Sequence, residues 1–401
     1  MRVAVVSCVY PPEPAVSART SAEIAAALHA RGHDVRVICP FPSRPAGRLF
    51  DGFRRAWRFV ANDGGVIVER RWSTLSPRST LASRFVENLT FGITSAIALL
   101  RARCDAAYLN SWPLFATGLT ALVLGLRGVP FVVSVQDVYP ESLFAQRRRG
   151  AGVVGSLLRR VDRAIARRAA AVIVLSRGFA EIYERDRGVD RERVYVVPNW
   201  IGASPLEPDA EAGRAFRSAR GIPDDAIVVA YGGNVGVAAG VEQLIEAFRF
   251  LDGRFRLVVA GSGSRAAACV ALARSIASER IHFVDPWPTE MTATVLAAAD
   301  LLALPTAGAQ SAVSVPSKLL TYLLADKPIL AIARADSEIA RVLEESQAGV
   351  CAPPADPRAI ADAIRASIAA PVRGGRAYAL RHFGRDVCLP RVVEVIEALG
   401  A

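Results

Sequence analysis

Lysine is nearly missing from this chain: among 49 basic residues the only lysines are Lys318 and Lys327, so the formal charge of +11 is an arginine charge. Such a balance suits an acidic partner (nucleic acid, an anionic membrane or a phosphate-bearing substrate) or reflects an arginine-rich composition alone. No helix-turn-helix, zinc finger or aromatic ribonucleoprotein motif accompanies the charge, which weighs against nucleic acid. The six cysteines form no C-x-x-C pair, against a disulfide framework or a structural zinc site and for a reduced compartment. Only four histidines are present, His29, His33, His282 and His382, a thin supply for acid–base chemistry. No full G-x-G-x-x-G follows the first strand, against a nicotinamide enzyme. Long uncharged runs are scarce too. Residues 106–126 carry no charge, but Asn110, Ser111 and Pro113 interrupt them, and the helical remainder is too short to cross a bilayer. It reads as a core or interfacial helix. Met1-Arg2 leads at once into a strand-like run, so no signal peptide is visible and a cytoplasmic location is expected.

What is present is alternation. At 401 residues, 52% of them hydrophobic, the chain has room for two α/β domains. Short β-branched runs alternate with helical patterns, the mark of parallel sheets wound on both faces. Strands are expected at 2–9, 34–39, 65–70, 105–109, 130–135, 171–175 and 193–197, with helices such as 18–31, 80–102 and 151–169 between them. A Pro/Gly/Ser-rich stretch at 198–210 interrupts the rhythm. Strands resume at 226–231, 254–260, 280–284, 300–304 and 328–333. The expected division is 1–200 for the first domain and 201–374 for the second, with a helical tail at 375–401 crossing back to the first.

Ligands of open parallel sheets bind beyond the carboxyl ends of the strands, where loops feed helix N-termini. Five such loops carry candidates. In "YPPEPAVSART" (10–20), Ser17 is a potential N-cap, and Arg19 in the first turn opposes the helix dipole unless an anion sits nearby; an ordinary capped helix with a solvated arginine is the alternative. "YGGNVGVAAG" (231–240) is a glycine turn in which Gly233 and Asn234 allow close backbone approach to a ligand. "AGSGS" (260–264) repeats the arrangement around Gly261. In "SVPSKLLTYLL" (314–324), Ser314, Ser317 and Lys318 stand at a helix start that already favours anions, although a solvated lysine has the same sequence. In "VSVQDVYPESL" (133–143), Gln136, Asp137 and Glu141 follow a buried strand. A carboxylate there orients a hydroxyl or takes its proton, or else caps the next helix.

Taken in order, "VVSCVYPPEPAVSART", "VQDVYPESL", "VVPNWIG", "YGGNVGVAAGVEQLIEAF" and "SVPSKLLTYLLADKPILA" resemble the retaining glycosyltransferases of family 4, most of all the bacterial polysaccharide branch that transfers sugars such as N-acetyl-fucosamine. The resemblance spans nearly the whole chain. It implies the GT-B fold, two Rossmann-like domains facing across a cleft. The second domain would hold a nucleotide-sugar donor, usually UDP-linked, and the first a glycan or polyprenyl-diphosphate-linked acceptor. Neither a metal nor another cofactor would be needed. It further implies that Gly233 and Asn234 approach the diphosphate, that Ser317 and Lys318 flank the donor, and that Thr321 lies near the ribose. Asp137 and Glu141 are the catalytic candidates, with Ser17, Arg19 and Gln136 on the acceptor or phosphate side.

The chain also departs from the family pattern. Val313 and Thr321 stand where many members carry two glutamates, and Asn234 and Ala239 where the glycine turn usually carries arginine and lysine. Each lost cation removes a charge-assisted hydrogen bond of roughly 1.5–3 kcal/mol. A catalytically impaired nucleotide-sugar-binding homologue is therefore an alternative, and a sugar-nucleotide epimerase of the same fold a weaker one. Finally, the segment 44–60 interleaves Arg48, Arg54, Arg55 and Arg58 with Phe50, Phe53, Trp57 and Phe59. It suits either peripheral contact with an anionic membrane or a solvated basic loop.

Overall fold

The computed structural model describes every residue except 79, 111–112, 140–151, 203–206, 277, 308–314, 370–373 and 401. The chain forms two compact units, Met1–Trp200 with Asp386–Ala401, and Ile201–Arg385.

The first unit holds an eight-stranded sheet of β1 (Arg2–Val6), β2 (Asp34–Pro40), β3 (Arg58–Asp63), β4 (Val66–Arg71), β5 (Ala106–Asn110), β6 (Phe131–Val135), β7 (Ala171–Val174) and β8 (Val194–Val196), in the order β3-β4-β2-β1-β5-β6-β7-β8. All neighbours pair in parallel except β3, which runs antiparallel to β4 at the edge. Central strands such as β5 and β6 are buried along their whole length, as helices on both faces require. The helices are α1 (Val16–Ala30), α2 (Leu81–Arg101), α3 (Leu114–Leu126), α4 (Val153–Arg168) and α5 (Arg177–Arg185). Among the described residues no helix is long and apolar enough to cross a membrane.

The second unit holds a six-stranded, all-parallel sheet: β9 (Ile227–Gly232), β10 (Phe255–Ala260), β11 (Ile281–Val284), β12 (Leu301–Pro305), β13 (Ile329–Ile332) and β14 (Gly349–Ala352), in the order β11-β10-β9-β12-β13-β14. Strand order reverses at β9 and β12, the place where open sheets receive their ligands. Its helices are α6 (Ala210–Ala219), α7 (Val241–Ala247), α8 (Ala266–Ile276), α9 (Thr292–Ala298), α10 (Ser317–Leu324), α11 (Glu338–Ser346), α12 (Pro357–Ala369) and α13 (Gly375–Phe383).

Two strands escape the sequence pattern. β3 lies exposed on the sheet edge, so no buried run marks it. The four-residue β14 pairs with β13 only because Gly349 has no Cβ; one there would lie 1.8 Å from the Ile329 carbonyl oxygen. The tail also differs from expectation. Helix α13, expected to cross back, packs in the second unit through Tyr378, Ala379 and Phe383. The return begins with α14 (Arg385–Glu397), whose Cys388, Leu389, Val392, Val393 and Ile396 join the core of β1, β2 and α1. Its last residue, Glu397, accepts hydrogen bonds from Arg31 (2.7 Å) and His33 (2.8 Å).

Because Ile396 is wholly buried in that core, Ile396→Ala should lower the stability of the first unit by roughly 2–5 kcal/mol. Hydrogen exchange checks this: amides of β1 and α1 should lose protection while those of β9 keep it. Unchanged protection in β1 would mean that the returning helix does not hold this core together.

Candidate functional site

In the second unit two glycine turns are built against each other. β9 ends in Tyr231-Gly232, and its ladder runs on as Gly233 N–H donates to the Ala260 carbonyl (2.8 Å) and Val235 N–H to that of Ser262 (2.8 Å). Gly233 (φ +137°) and Gly261 (φ +129°) both occupy backbone conformations that side chains disfavour. A Cβ on Gly261 would lie 2.0 Å from the Gly233 carbonyl oxygen. The turns thus form one bare backbone platform at the carboxyl end of the sheet.

Helix α10 grips this platform from one side. Ser317 opens the helix behind Pro316, which serves as its N-cap residue without a side-chain bond. Lys318 and Tyr322, one turn apart, face the platform together. The Tyr322 hydroxyl accepts a hydrogen bond from Gly232 N–H (2.9 Å). The Lys318 stem lies where a Cβ on Gly233 would be, 2.5 Å from Cε. Its ammonium donates to the Tyr231 hydroxyl and sits 4.2 Å from that ring's centroid. The Tyr231 hydroxyl in turn donates to the Asn234 carbonyl (2.7 Å). Burial lowers the Lys318 ammonium from its ordinary range to about 8.

Thr321 lies on the neighbouring helix face with Ser317, and its hydroxyl reaches only the Ser317 carbonyl (3.5 Å). Asn234 is exposed, and the short helical turn Val237–Ala239 behind it carries no charge. Arg265, beside the Gly261 turn, is held by Glu242 (2.6 Å). Ser314 lies outside the described residues. Sequence reasoning missed three platform residues: Tyr231, Tyr322 and Trp287. The Trp287 indole packs on Gly232, where a Cβ would lie 2.8 Å from the ring, and its buried N–H has no acceptor among the described residues. Its position three residues past β11 was a usable signal under the same strand-end rule.

In the first unit β6 delivers Gln136 and Asp137. The Gln136 amide donates to Ser134 Oγ (3.1 Å) and accepts from Asn199 Nδ2 (3.0 Å), which fixes the strand end. Asp137 is largely buried with no hydrogen-bond partner among the described residues, and burial alone raises its carboxyl to about 6. It caps no described helix, and residues 140–151, where a helix capped by Asp137 would begin, lie outside the described residues. Glu141 lies outside the described residues. The next turn of chain is anchored from behind. Tyr139 carbonyl accepts from Arg187 Nη2 (2.6 Å), and Arg187, 0% exposed, is held by Asp162 (2.7 Å), which also accepts from the Tyr183 hydroxyl (2.9 Å). Arg187 at the end of α5 gave no sequence signal, because its partners come from α4 and from the loop after β6.

Two expectations for the first loop change. Ala15, not Ser17, is the N-cap of α1; Ser17 is already inside the helix and makes no cap bond. Arg19 is not free to meet an anion. Its guanidinium holds Glu23 (3.2 Å) and the Trp200 carbonyl (2.5 Å), while the Trp200 indole donates to Glu23, making a clasp that closes the first unit. The loop's own carboxylate, Glu13, is buried and accepts the backbone N–H groups of Tyr10, Ser43 and Arg44. The histidines stand apart from both sites: His33 pairs with Glu397, His382 stacks on Tyr378, and His282 lies within β11.

Two Rossmann-like domains, each a largely parallel sheet wound with helices, are the architecture of the GT-B class. Residues 17–200 match the Glycosyl transferase 4-like domain and residues 226–369 the Glycosyl transferases group 1 domain, and the chain belongs to the glycosyltransferases built from this pair. It is 25% identical to WcaI of Escherichia coli (strain K12), a glycosyl transferase assigned to colanic acid biosynthesis, over 99% of this chain and all of that protein. Among solved structures, sucrose-phosphate synthase from Thermosynechococcus elongatus superposes with a TM-score of 0.73 at 19% identity, covering 100% of this chain and 99% of that one. Anabaena HepE in complex with UDP and glucose gives 0.70 at 15% identity, covering 99% and 100%. These likenesses establish the shared fold.

Gly261→Ala should open the paired turns, because its Cβ has no room against Gly233. The expected result is faster hydrogen exchange at the Gly233 and Val235 amides, which bond across the two turns, with the rest of the second unit still protected. Unaltered exchange there would show that the two turns are not packed on each other.

Proposed function

We propose that this chain transfers a sugar from a nucleoside-diphosphate donor, UDP-linked by preference, to a glycan or lipid-linked acceptor in cell-surface polysaccharide synthesis, with retention of anomeric configuration and without a metal. The observation that carries this reading is the desolvated Lys318 ammonium on a bare glycine platform: it has a phenol and a ring face for partners, and burial is the only influence that shifts it. A diphosphate supplies the missing counter-charge, and the platform's backbone allows close approach. Ser317, exposed at the helix start, and Asn234 lie on the same side as further polar contacts. In the first unit Asp137 orients the acceptor hydroxyl and takes its proton as the acceptor oxygen bonds to the anomeric carbon on the same face from which the diphosphate departs, which keeps the configuration. A carboxylate near 6 is mostly ionised at neutral pH and more basic than an ordinary aspartate. Membership of the family and the role named for WcaI support the polysaccharide setting. Work beside an anionic membrane at the cytoplasmic face belongs to the same reading, with the arginine excess of the chain in its support.

A nucleotide-sugar-binding homologue without turnover is the second reading, favoured by Thr321 and by the uncharged 237–239 turn. UDP release from a panel of UDP-sugars with lipid and glycan acceptors decides between them. Turnover that falls at least a hundredfold in Asp137→Ala and Lys318→Ala supports the enzyme. Tight UDP binding with no turnover in any pairing supports the homologue.

Two further outcomes follow from protonation. At pH 8 the free Lys318 is about half neutral, and a bound diphosphate raises its proton affinity. UDP binding should then take up roughly half a proton, seen as a buffer-dependent binding enthalpy that Lys318→Met abolishes. Asp137 behaves oppositely for stability. Its folded value, about 6, lies above the ordinary 3.8, so its stability contribution is intact below pH 4 and is lost as pH rises through 6. Asp137→Asn should therefore unfold at higher temperature than wild type at pH 8, by up to about 3 kcal/mol of stability, and match it near pH 4. Equal melting at both pH values would mean that the carboxylate is not desolvated.

A further inference from the structure

The uncharged stretch at 106–126 leaves its mark on the surface. Helix α3 lies between α2 and α4 in one layer of the first unit. Gly92 of α2 approaches Ala116 so closely that a Cβ would lie 2.8 Å from its Cα, and Phe85 meets Phe115 edge-on at 5.0 Å. The outward positions of α3 are Phe115, Gly118, Leu119, Leu122, Gly125 and Leu126, without a polar side chain among them. Leu122 is 51% and Leu126 78% exposed. The neighbouring helices continue the apolar surface with Phe85, Ile93 and Leu100 on α2 and Val153 and Leu157 on α4, all exposed. Between the helices opens a cavity of about 320 Å³, lined by Leu119, Leu122, Val161 and, at its one charged position, Arg168.

Charge on this layer has one sign. The only acids of the three helices, Glu87 and Asp162, are buried and ion-paired. Arg160, Arg167 and Arg168 are exposed on α4 beside Val153 and Leu157. A water-facing helix layer with leucines outward and cations alone around them is unsuited to bulk solvent and complementary to an apolar phase bounded by anions. A protein partner would need an acidic rim around an apolar centre; an anionic bilayer has that arrangement at every point of its surface.

We propose that the outward face of α2, α3 and α4 docks on an anionic lipid bilayer, with Leu122 and Leu126 entering the hydrocarbon boundary and Arg160 and Arg168 at the headgroups. This rests on the reading that the acceptor is met at a membrane, and it assigns the contact to a face other than the 44–60 segment. In that segment two of the four rings have partners within the protein, Trp57 stacking on Trp72 and Phe53 lying beneath Arg70, while Phe59 is exposed on the edge strand β3.

Flotation of the full chain with phosphatidylglycerol/phosphatidylethanolamine vesicles, and with phosphatidylcholine vesicles as the neutral control, tests the assignment. The wild type should partition onto the anionic vesicles alone. Leu122→Glu with Leu126→Glu should lower that partition at least tenfold, and so should Arg160→Glu with Arg168→Glu, whereas Arg55→Glu with Trp57→Ser should change it less than threefold. UDP binding measured without vesicles should be the same in all, which separates loss of docking from failure of the glycosyltransferase reading. If the leucine variant does not fold, the surface arginine pair decides. The proposal is overturned by a wild type that ignores anionic vesicles, by full partition of the leucine or arginine variants, or by sedimentation showing a dimer that Leu122→Glu with Leu126→Glu dissolves.

Discussion

A half-buried lysine ammonium with no carboxylate beside it among the described residues is the constraint around which the second unit is arranged. Desolvation alone lowers Lys318, so the protein bears its cost rather than cancelling it internally. The surrounding choices follow. β9 must end in Gly232 and lead into Gly233, because the Trp287 ring and the Lys318 stem occupy the places of their Cβ atoms. Tyr231 is the residue that offers both an oxygen and a ring face to the cation. Tyr322, one helical turn on, ties Gly232 to the same helix, so the cation and the platform move as one body. An anion is the one component that completes the electrostatics.

The first unit carries the mirror of this arrangement. Asp137 is desolvated with no cation acting on it among the described residues, just as Lys318 has no anion. Its support is mechanical rather than electrostatic: Gln136 is pinned to Ser134 and Asn199, and the chain beyond is pinned by Arg187. Arg187 spends its charge on Asp162 and a carbonyl, which secures the loop without stabilising the Asp137 carboxylate. A carboxylate kept in this way remains basic and sterically fixed, as a group that orients a hydroxyl and receives its proton needs to be. A clean separation between holding a residue and neutralising it recurs in both units.

The alternation of strand and helix was legible because central parallel strands bury both faces and so read as continuous apolar runs. β3 and β14 were not, one because an edge strand has no buried face to betray it, the other because four residues around a glycine give too little pattern. Glycine turns and the lysine were visible through the strand-end rule. The partners that give Lys318 its character were not, since nothing in the sequence pairs Tyr231 at a strand end with Tyr322 in a helix some ninety residues on. Arg19 shows the opposite failure. A cation at a helix start looks available in one dimension, yet residue 200 returns across 181 positions of sequence to take it. Arg187 was hidden for the same reason, its contacts being made only by the fold.

The uncharged turn at 237–239 and Thr321 bear on whether the platform suffices for an anionic donor. A family member with arginine and lysine in that turn gains charge-assisted contacts of roughly 1.5–3 kcal/mol each, but those cations stand in water until the ligand arrives and give up hydration to bind it. Lys318 has already given up that hydration. Its displacement from 10.5 to about 8 corresponds to about 3 kcal/mol of unfavourable charging, much of which an adjoining diphosphate returns. Under the proposed donor reading, the burial of Lys318 stands in for exposed cations, at the expense of stability in the empty protein. Thr321 has no such replacement: its hydroxyl is at the limit of reach of its own helix. Under the same proposed donor reading, the shortfall at Thr321 concerns the ribose end and bears on selectivity among donors more than on holding the diphosphate.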